Sequence, residues 1–243
     1  MRLDKYLATY AQMSRREAKK AVKQGRVTLD GEKAVREEDR ISDGQEVSLD
    51  GVLLQAEEYV YYMLNKPAGV ISATSDRTEK TVLDLIDTKG REIFPMGRLD
   101  KDTRGLLILT NDGALAHRLL SPRYHVEKIY EFRYEGQLLP DAVRLAAEGI
   151  DIGEKYPAKP ALLELPDSPD CFARLTISEG KYHQVKRMVA KMGGYVTELR
   201  RVSFAGIPLD ETLQPGEYRS LTEEEVTCLR QHGMPAHKNT SVN

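Results

Sequence analysis

Three stretches of this chain gather side chains able to act on other molecules. The most concentrated is Gly97-Arg98-Leu99-Asp100-Lys101-Asp102-Thr103-Arg104-Gly105, which places three cations, two carboxylates and a hydroxyl in seven consecutive residues. Nearby positive charge lowers the pKa of a carboxyl group, so a carboxylate in this setting stays ionised at neutral pH. An ionised carboxylate serves as a general base or a nucleophile. On these grounds Asp100 and Asp102 are equivalent. A surface loop whose charges pair among themselves has the same composition.

The second stretch is Gly180-Lys181-Tyr182-His183-Gln184-Val185-Lys186-Arg187-Met188. From Lys181 to Arg201 six basic residues stand against Glu198 alone, a net of +5. It opens where a strand gives way to a helix, and backbone N–H groups at such a start favour anions. Lysines that merely solvate a helix would look alike. His183 has no triad-like spacing to other groups, so a role as a lone base is disfavoured. The third stretch, Glu127-Lys128-Ile129-Tyr130, sets a tyrosine in an alternating strand, where a core position is the ordinary reading.

These residues need a frame. The apolar run Leu106 to Thr110 reads as a buried strand directly after the first stretch, placing that stretch at a sheet edge, where sites tend to sit. Further strands are expected at 59–64, 70–72, 127–134, 161–165, 172–178 and 195–202. Helices are expected at 81–86, 114–120, 140–148 and 182–192, with a last one opened by Thr222-x-x-Glu225 and running to about 231. Asn65 to Gly69 reads as a turn because Pro67 and Gly69 interrupt it. Strands outnumber helices and do not alternate with them. The reading is therefore α+β, with a largely antiparallel mixed sheet and flanking helices.

The first 50 residues form a separate pattern. Ser14-Arg15-Arg16-Glu17 is a capping box opening a helix to about Gln24. Arg16, Lys19, Lys20 and Lys23 share one face, and Ala18, Ala21 and Val22 the opposite one. Asp30-Gly31 between strand-like segments is a hairpin signal. Residues 50–58 read as a linker and 233–243 as a disordered tail. The 243-residue chain has a net charge of −2, yet residues 1–26 carry +6 and the remainder −8. Such asymmetry marks a polyanion-binding surface on an acidic protein. The basic helix, with no acidic i,i+4 partners, is the candidate contact.

Other classes are unsupported. The start lacks a signal peptide's apolar core, and no apolar run spans a bilayer. Cys171 and Cys228 read as free thiols of a cytoplasmic protein. The five histidines are not at metal-ligand spacing from them. No Gly-rich phosphate loop or hydrolase elbow is present.

Taken together, the stretches resemble a known family. Ser14-Arg15-Arg16-Glu17-Ala18 with the Asp30-Gly31 hairpin is similar to the S4 RNA-binding domain. Leu64-Asn65-Lys66-Pro67-Ala68-Gly69-Val70, Gly97-Arg98-Leu99-Asp100 through Leu109-Thr110-Asn111-Asp112-Gly113, Lys128-Ile129-Tyr130, and Glu179 through Met188 resemble the RsuA family of pseudouridine synthases. They fall in the right order along nearly the whole chain. The resemblance implies a cofactor-free isomerisation of uridine to pseudouridine, with base flipping. It implies an S4 domain over 1–50, a linker at 51–58 and a catalytic domain over 59–232. It makes Asp100 the essential aspartate, Tyr130 the residue that packs on the uracil, and Lys186 the basic partner of Asp100. RNA contacts are expected from Arg2, Arg15, Arg16, Lys19, Lys20, Lys23, Arg98, Arg104, Lys181 and Arg187. Tyr182 to Met188 and Pro215-Gly216-Glu217-Tyr218-Arg219 look like the small-subunit branch. The expected partner is therefore 16S ribosomal RNA, free or in a small-subunit assembly intermediate, and the protein a cytoplasmic monomer. The same chemistry on 23S RNA, or a non-catalytic S4 assembly factor, are the alternatives.

Overall fold

The computed structural model describes residues 1–11, 13–42, 45–54, 59–166 and 172–232. Residues 233–243, expected as a tail, part of the expected linker at 55–58, and Cys171 lie outside the described residues. The chain divides into two compact units, 1–58 and 59–243.

The first unit contains α1 (Leu3–Tyr10), α2 (Arg15–Lys23), β1 (Val27–Leu29), β2 (Glu32–Lys33), β3 (Val47–Leu49) and β4 (Val52–Leu54). α2 starts where the sequence places it. Ser14 Oγ accepts from the Glu17 N–H at 3.2 Å, and Glu17 accepts from the Ser14 N–H at 2.7 Å. Ala18, Ala21 and Val22 are buried with Leu3, Leu7, Val27 and Val47, which leaves Arg15, Arg16, Lys19, Lys20 and Lys23 in solvent. The strands form an antiparallel sheet in the order β2-β1-β3-β4.

One expectation is corrected here. Residues 52–54, read as linker, form β4 and pair with β3. Asp50 and Gly51 both take positive φ (52° and 82°), the turn conformation that Asp-Gly supplies to a tight hairpin. Asp30-Gly31 does the same (50° and 85°) between β1 and β2.

The second unit is built from β5 (Tyr61–Lys66), a 3-10 turn (Val82–Leu85), β6 (Phe94–Pro95), β7 (Arg104–Thr110), α3 (Gly113–Leu120), β8 (Lys128–Gly136), α4 (Ala142–Glu148), β9 (Leu162–Glu164), β10 (Phe172–Ile177), α5 (Gln184–Lys191), β11 (Gly194–Phe204), β12 (Ile207–Pro208), β13 (Tyr218–Ser220) and α6 (Glu223–His232). Seven strands run in the order β13-β5-β7-β11-β8-β10-β9, with β6 on β7 and β12 on β11. All neighbours are antiparallel except β7 and β11. The mixed, mostly antiparallel sheet agrees with the sequence reading.

Both sheet faces are covered. Alternate residues of β5 and β7 divide between two cores: Tyr62, Leu64, Leu107 and Leu109 on one side, Tyr61, Met63, Leu106 and Ile108 on the other. That explains why both strands read as continuous apolar runs. The expected strand at 70–72 is only a bridge between Ile71 and Thr81. The expected turn at 65–69 starts later, because β5 continues through Lys66, paired with Gly105.

The parallel seam joins two antiparallel halves through only two residue pairs, Arg200 with Arg104 and Arg201 with Gly105. Gly105 has φ +100°, and a Cβ there would sit 2.2 Å from the Arg201 carbonyl oxygen. No other residue fits at this point of the seam.

Candidate active site

Asp100 stands in the loop between β6 and β7, at the mouth of the seam. The loop is held from beneath by Lys66, which is completely buried. Its ammonium donates to the carbonyl oxygens of Pro67 (3.0 Å), Asp100 (3.1 Å), Lys101 (3.3 Å) and Thr103 (2.8 Å). Burial pushes this lysine down to about 8, opposed by the charges of Asp102 and Asp100. Ser72 Oγ donates to the Leu99 carbonyl at 2.9 Å and accepts from the Leu99 N–H at 3.0 Å. The Gly69 N–H donates to the Lys101 carbonyl at 2.8 Å. The residue before Asp100 and the one after it are therefore both fixed by the stretch 66–72. Sequence reasoning gave Lys66 no role of its own. The available signal was a lysine ending an apolar strand before Pro67.

The loop and α5 face each other. Lys186 Nζ lies 3.5 Å from Asp100 Oδ2 and 2.7 and 2.8 Å from the two oxygens of Asp102. The basic residue expected beside Asp100 is there, but its hydrogen bonds go to Asp102. That bonding holds the Asp102 carboxyl below the usual range. His183, passed over in the sequence, has Nε2 3.6 Å from Asp100 Oδ1. It precedes α5 in the left-handed region (φ 48°), and its ring stacks on Tyr182 at 3.8 Å. Non-glycine residues held in this region cluster at functional sites.

Tyr130, on β8, is buried and lines the same recess as Asp100, with Leu99, Ile177, Val185 and Leu199 as apolar walls. The recess opens into a cleft of about 790 Å³ that also reaches Arg98, Lys128, Lys181 and Arg201. Arg98 is exposed on the rim. Lys181 donates to the Tyr156 and Pro157 carbonyls at 2.6 and 2.7 Å.

Two residues expected to contact RNA lie outside the lining of this cleft. Arg104 is exposed, lies outside the cleft's lining and is 3.5 Å from Glu198. Arg187 bonds to Glu154 at 2.7 Å and to the carbonyls of Tyr182 and Ile152, tying α5 to the 152–154 segment. In the first unit Arg2 is paired with Asp4 at 3.1 Å, and Lys19 approaches Glu37 at 3.9 Å. Among the described residues no cluster of three metal-ligating side chains occurs, and no helix is long and apolar enough to cross a membrane. Cys228 is a free thiol.

An N-terminal unit with a basic helix face, and a mixed sheet that sets a carboxylate and a tyrosine in one recess with a lysine beside the carboxylate, describe an RNA-modifying enzyme. Residues 60–191 match the family model described as RNA pseudouridylate synthase, and residues 1–47 match the S4 domain. The chain belongs to the RNA pseudouridylate synthase family and carries an S4 domain at its N-terminus. It is 47% identical over 236 residues to an uncharacterized RNA pseudouridine synthase of Bacillus subtilis, covering 95% of this chain and 99% of the relative. It is 43% identical to ribosomal small subunit pseudouridine synthase A of Escherichia coli, covering 94% and 100%. Among solved structures, a pseudouridylate synthase superposes with a TM-score of 0.68 at 40% identity, covering 94% of this chain and 99% of that one.

Proposed function

We propose that this pseudouridine synthase acts on one uridine of 16S ribosomal RNA, with Asp100 as the essential group. The observation that carries the reading is the placement of Asp100 at a recess it shares with Tyr130 and apolar walls, beside Lys186. Similarity to the small-subunit enzyme over almost the full length of both chains supports the choice of RNA.

The reaction breaks the N1–C1′ bond and joins C5 to C1′, and the C5 hydrogen is replaced by one on N1. It is redox-neutral and needs no cofactor. A stacked base is out of reach, so the uridine is flipped at roughly a few kcal/mol. Phosphate contacts to the basic face of α2, with Arg15 beside it, offset that cost. Stacking of the flipped uracil on Tyr130 adds about 1–3 kcal/mol. Asp100 then acts as nucleophile or takes the C2′ proton. Lys186, shared with Asp102, keeps positive charge near the carboxylate in either route.

The test is incubation of the protein with unmodified 16S and 23S RNA, with pseudouridine mapped by carbodiimide-dependent reverse-transcription stops. A single stop in 16S RNA, absent with Asp100→Asn although that variant still binds RNA, is the expected result. A stop in 23S RNA alone overturns the substrate. Turnover by Asp100→Asn overturns the residue. Binding without product on free RNA and on a partly assembled small subunit makes the chain a binder.

A further inference from the structure

The cleft floor holds two buried cations that the chemistry at Asp100 does not use. Lys128, at the start of β8, and Arg201, on β11, are 8% and 2% exposed. Both line the cleft that contains Asp100 and Tyr130, and Arg201 is the cross-strand partner of Tyr130. They flank one ring: Lys128 Nζ lies 5.6 Å and Arg201 Cζ 5.1 Å from the centre of Phe204.

Among the described residues no carboxylate forms an ion pair with either cation. Lys128 donates to the Val126 carbonyl at 2.7 Å. Arg201 Nε donates to the Leu106 carbonyl at 2.8 Å, and its buried Nη2 has no hydrogen-bond partner among the described residues. Glu179 is the acid whose charge reaches Lys128. Its Oε1, however, accepts from the Lys159 N–H at 2.8 Å and from Gln184 Nε2 at 3.1 Å. Two like charges buried side by side disfavour each other, and burial pushes Lys128 down to about 8. Uncompensated buried charge is costly, and groups perturbed in this way inside a cleft cluster at functional sites.

We propose that Lys128 and Arg201 form an inner phosphate subsite that takes a backbone phosphate beside the uridine seated on Tyr130. The assignment rests on the proposed RNA substrate. A phosphodiester brings the missing negative charge. Its two free oxygens suit a guanidinium that has no carboxylate partner among the described residues and an ammonium with unspent donors, both lining the cleft. A flipped nucleotide carries its own phosphate toward the cleft with its base. The subsite then supplies binding energy only once the base has left its stack, so it favours the flipped state over the stacked one.

The test uses an oligoribonucleotide spanning the mapped uridine, with one neutral methylphosphonate at a time at each linkage within two nucleotides. Affinity is read by fluorescence anisotropy and turnover on the same RNAs. One linkage is expected to weaken wild-type binding about ten- to a hundredfold when neutralised, as loss of a charged hydrogen bond does. Lys128→Met is expected to bind native RNA correspondingly more weakly and to lose most of its sensitivity at that linkage. Wild-type indifference to every neutral linkage overturns the subsite, and so does a full, independent penalty in Lys128→Met. The wild-type scan decides even if the variant misfolds. Pseudouridine formed at an equal rate on every neutral-linkage RNA, with unchanged affinity, keeps the proposed reaction and overturns the subsite alone.

Discussion

Replacing Lys66 by methionine is expected to loosen the Asp100 loop and lower both stability and turnover. The ammonium has three protons for four carbonyl oxygens at 2.8–3.3 Å. Hydrogen bonds from a charged group are worth about 1.5–3 kcal/mol each, and methionine supplies none. Against this stands the cost of keeping the ammonium buried. A pKa pushed down to about 8 from 10.5 corresponds to about 3 kcal/mol. The balance is a loss of about 2–5 kcal/mol, which lowers the melting temperature of a unit this size by roughly 5–15 °C. Turnover should fall further than stability does, because three of the freed carbonyls belong to Asp100, Lys101 and Thr103. A displacement of about 1 Å at a reacting group costs about a hundredfold in rate. Calorimetry gives the first quantity. Single-turnover pseudouridine formation at a temperature where the variant is folded gives the second. A variant that melts within 2 °C of wild type, on the order of 1 kcal/mol, and keeps its rate would refute the idea that Lys66 positions the loop.

Burial also places Lys128 near its titration point, with Arg201, Glu179 and the Val126 carbonyl facing it. RNA affinity should fall as pH rises through about 8, and Lys128→Met should flatten that profile in a binding titration. The sign for stability is opposite. Lys66 and Lys128 release their protons near pH 8 in the folded chain and near 10.5 when unfolded, so their contribution to stability rises with pH across that window. Alanine at Arg16, Lys20 and Lys23 together should reduce the slope of log affinity against log salt by about 2–3, measured by anisotropy, while the melting of residues 59–232 stays put. Gly105→Ala should cost more than about 3 kcal/mol in urea unfolding, because its Cβ meets the Arg201 carbonyl and its φ is positive.

What the sequence disclosed, and what it hid, follows from how local each signal is. The Ser14–Glu17 box and the buried stripe Ala18, Ala21 and Val22 are written within one helix turn or two, and the structure repeats them. Helix α1 went unread because Leu3–Tyr10 is short and has no side-chain cap, so its order depends on packing against α2 and β3. β4 reads as linker in the sequence because acids surround it, although its pairing is set by the Asp50-Gly51 turn. In the site, the Gly-Arg-Leu-Asp stretch and its sheet-edge position were visible. The cage around Lys66 was not, since a lysine on sequence alone belongs in solvent and only the fold shows otherwise. Arg104 and Arg187 were read as RNA contacts from local charge. Their acidic neighbours, Glu198 and Glu154, come from 94 and 33 residues away, beyond the range of a local reading. His183 was discounted for want of spacing partners, and it reaches Asp100 through a left-handed backbone turn that no pattern announces.

The two-pair seam between β7 and β11 has a consequence for how this enzyme is made. Asp100 lies on the half that contains β5, β6 and β7. Tyr130 and Lys186 belong to the half from β8 to β11, which is inserted before β13 returns to β5. During synthesis the nascent chain therefore exposes Asp100 well before the partners that give it a recess. The edge of its own half stays unpaired until residues 218–220 have left the ribosome. Neither half alone contains the set of residues proposed to act on the uridine, so on that proposal no truncated or half-folded product modifies RNA. Modifying activity is in this sense a property of the finished chain.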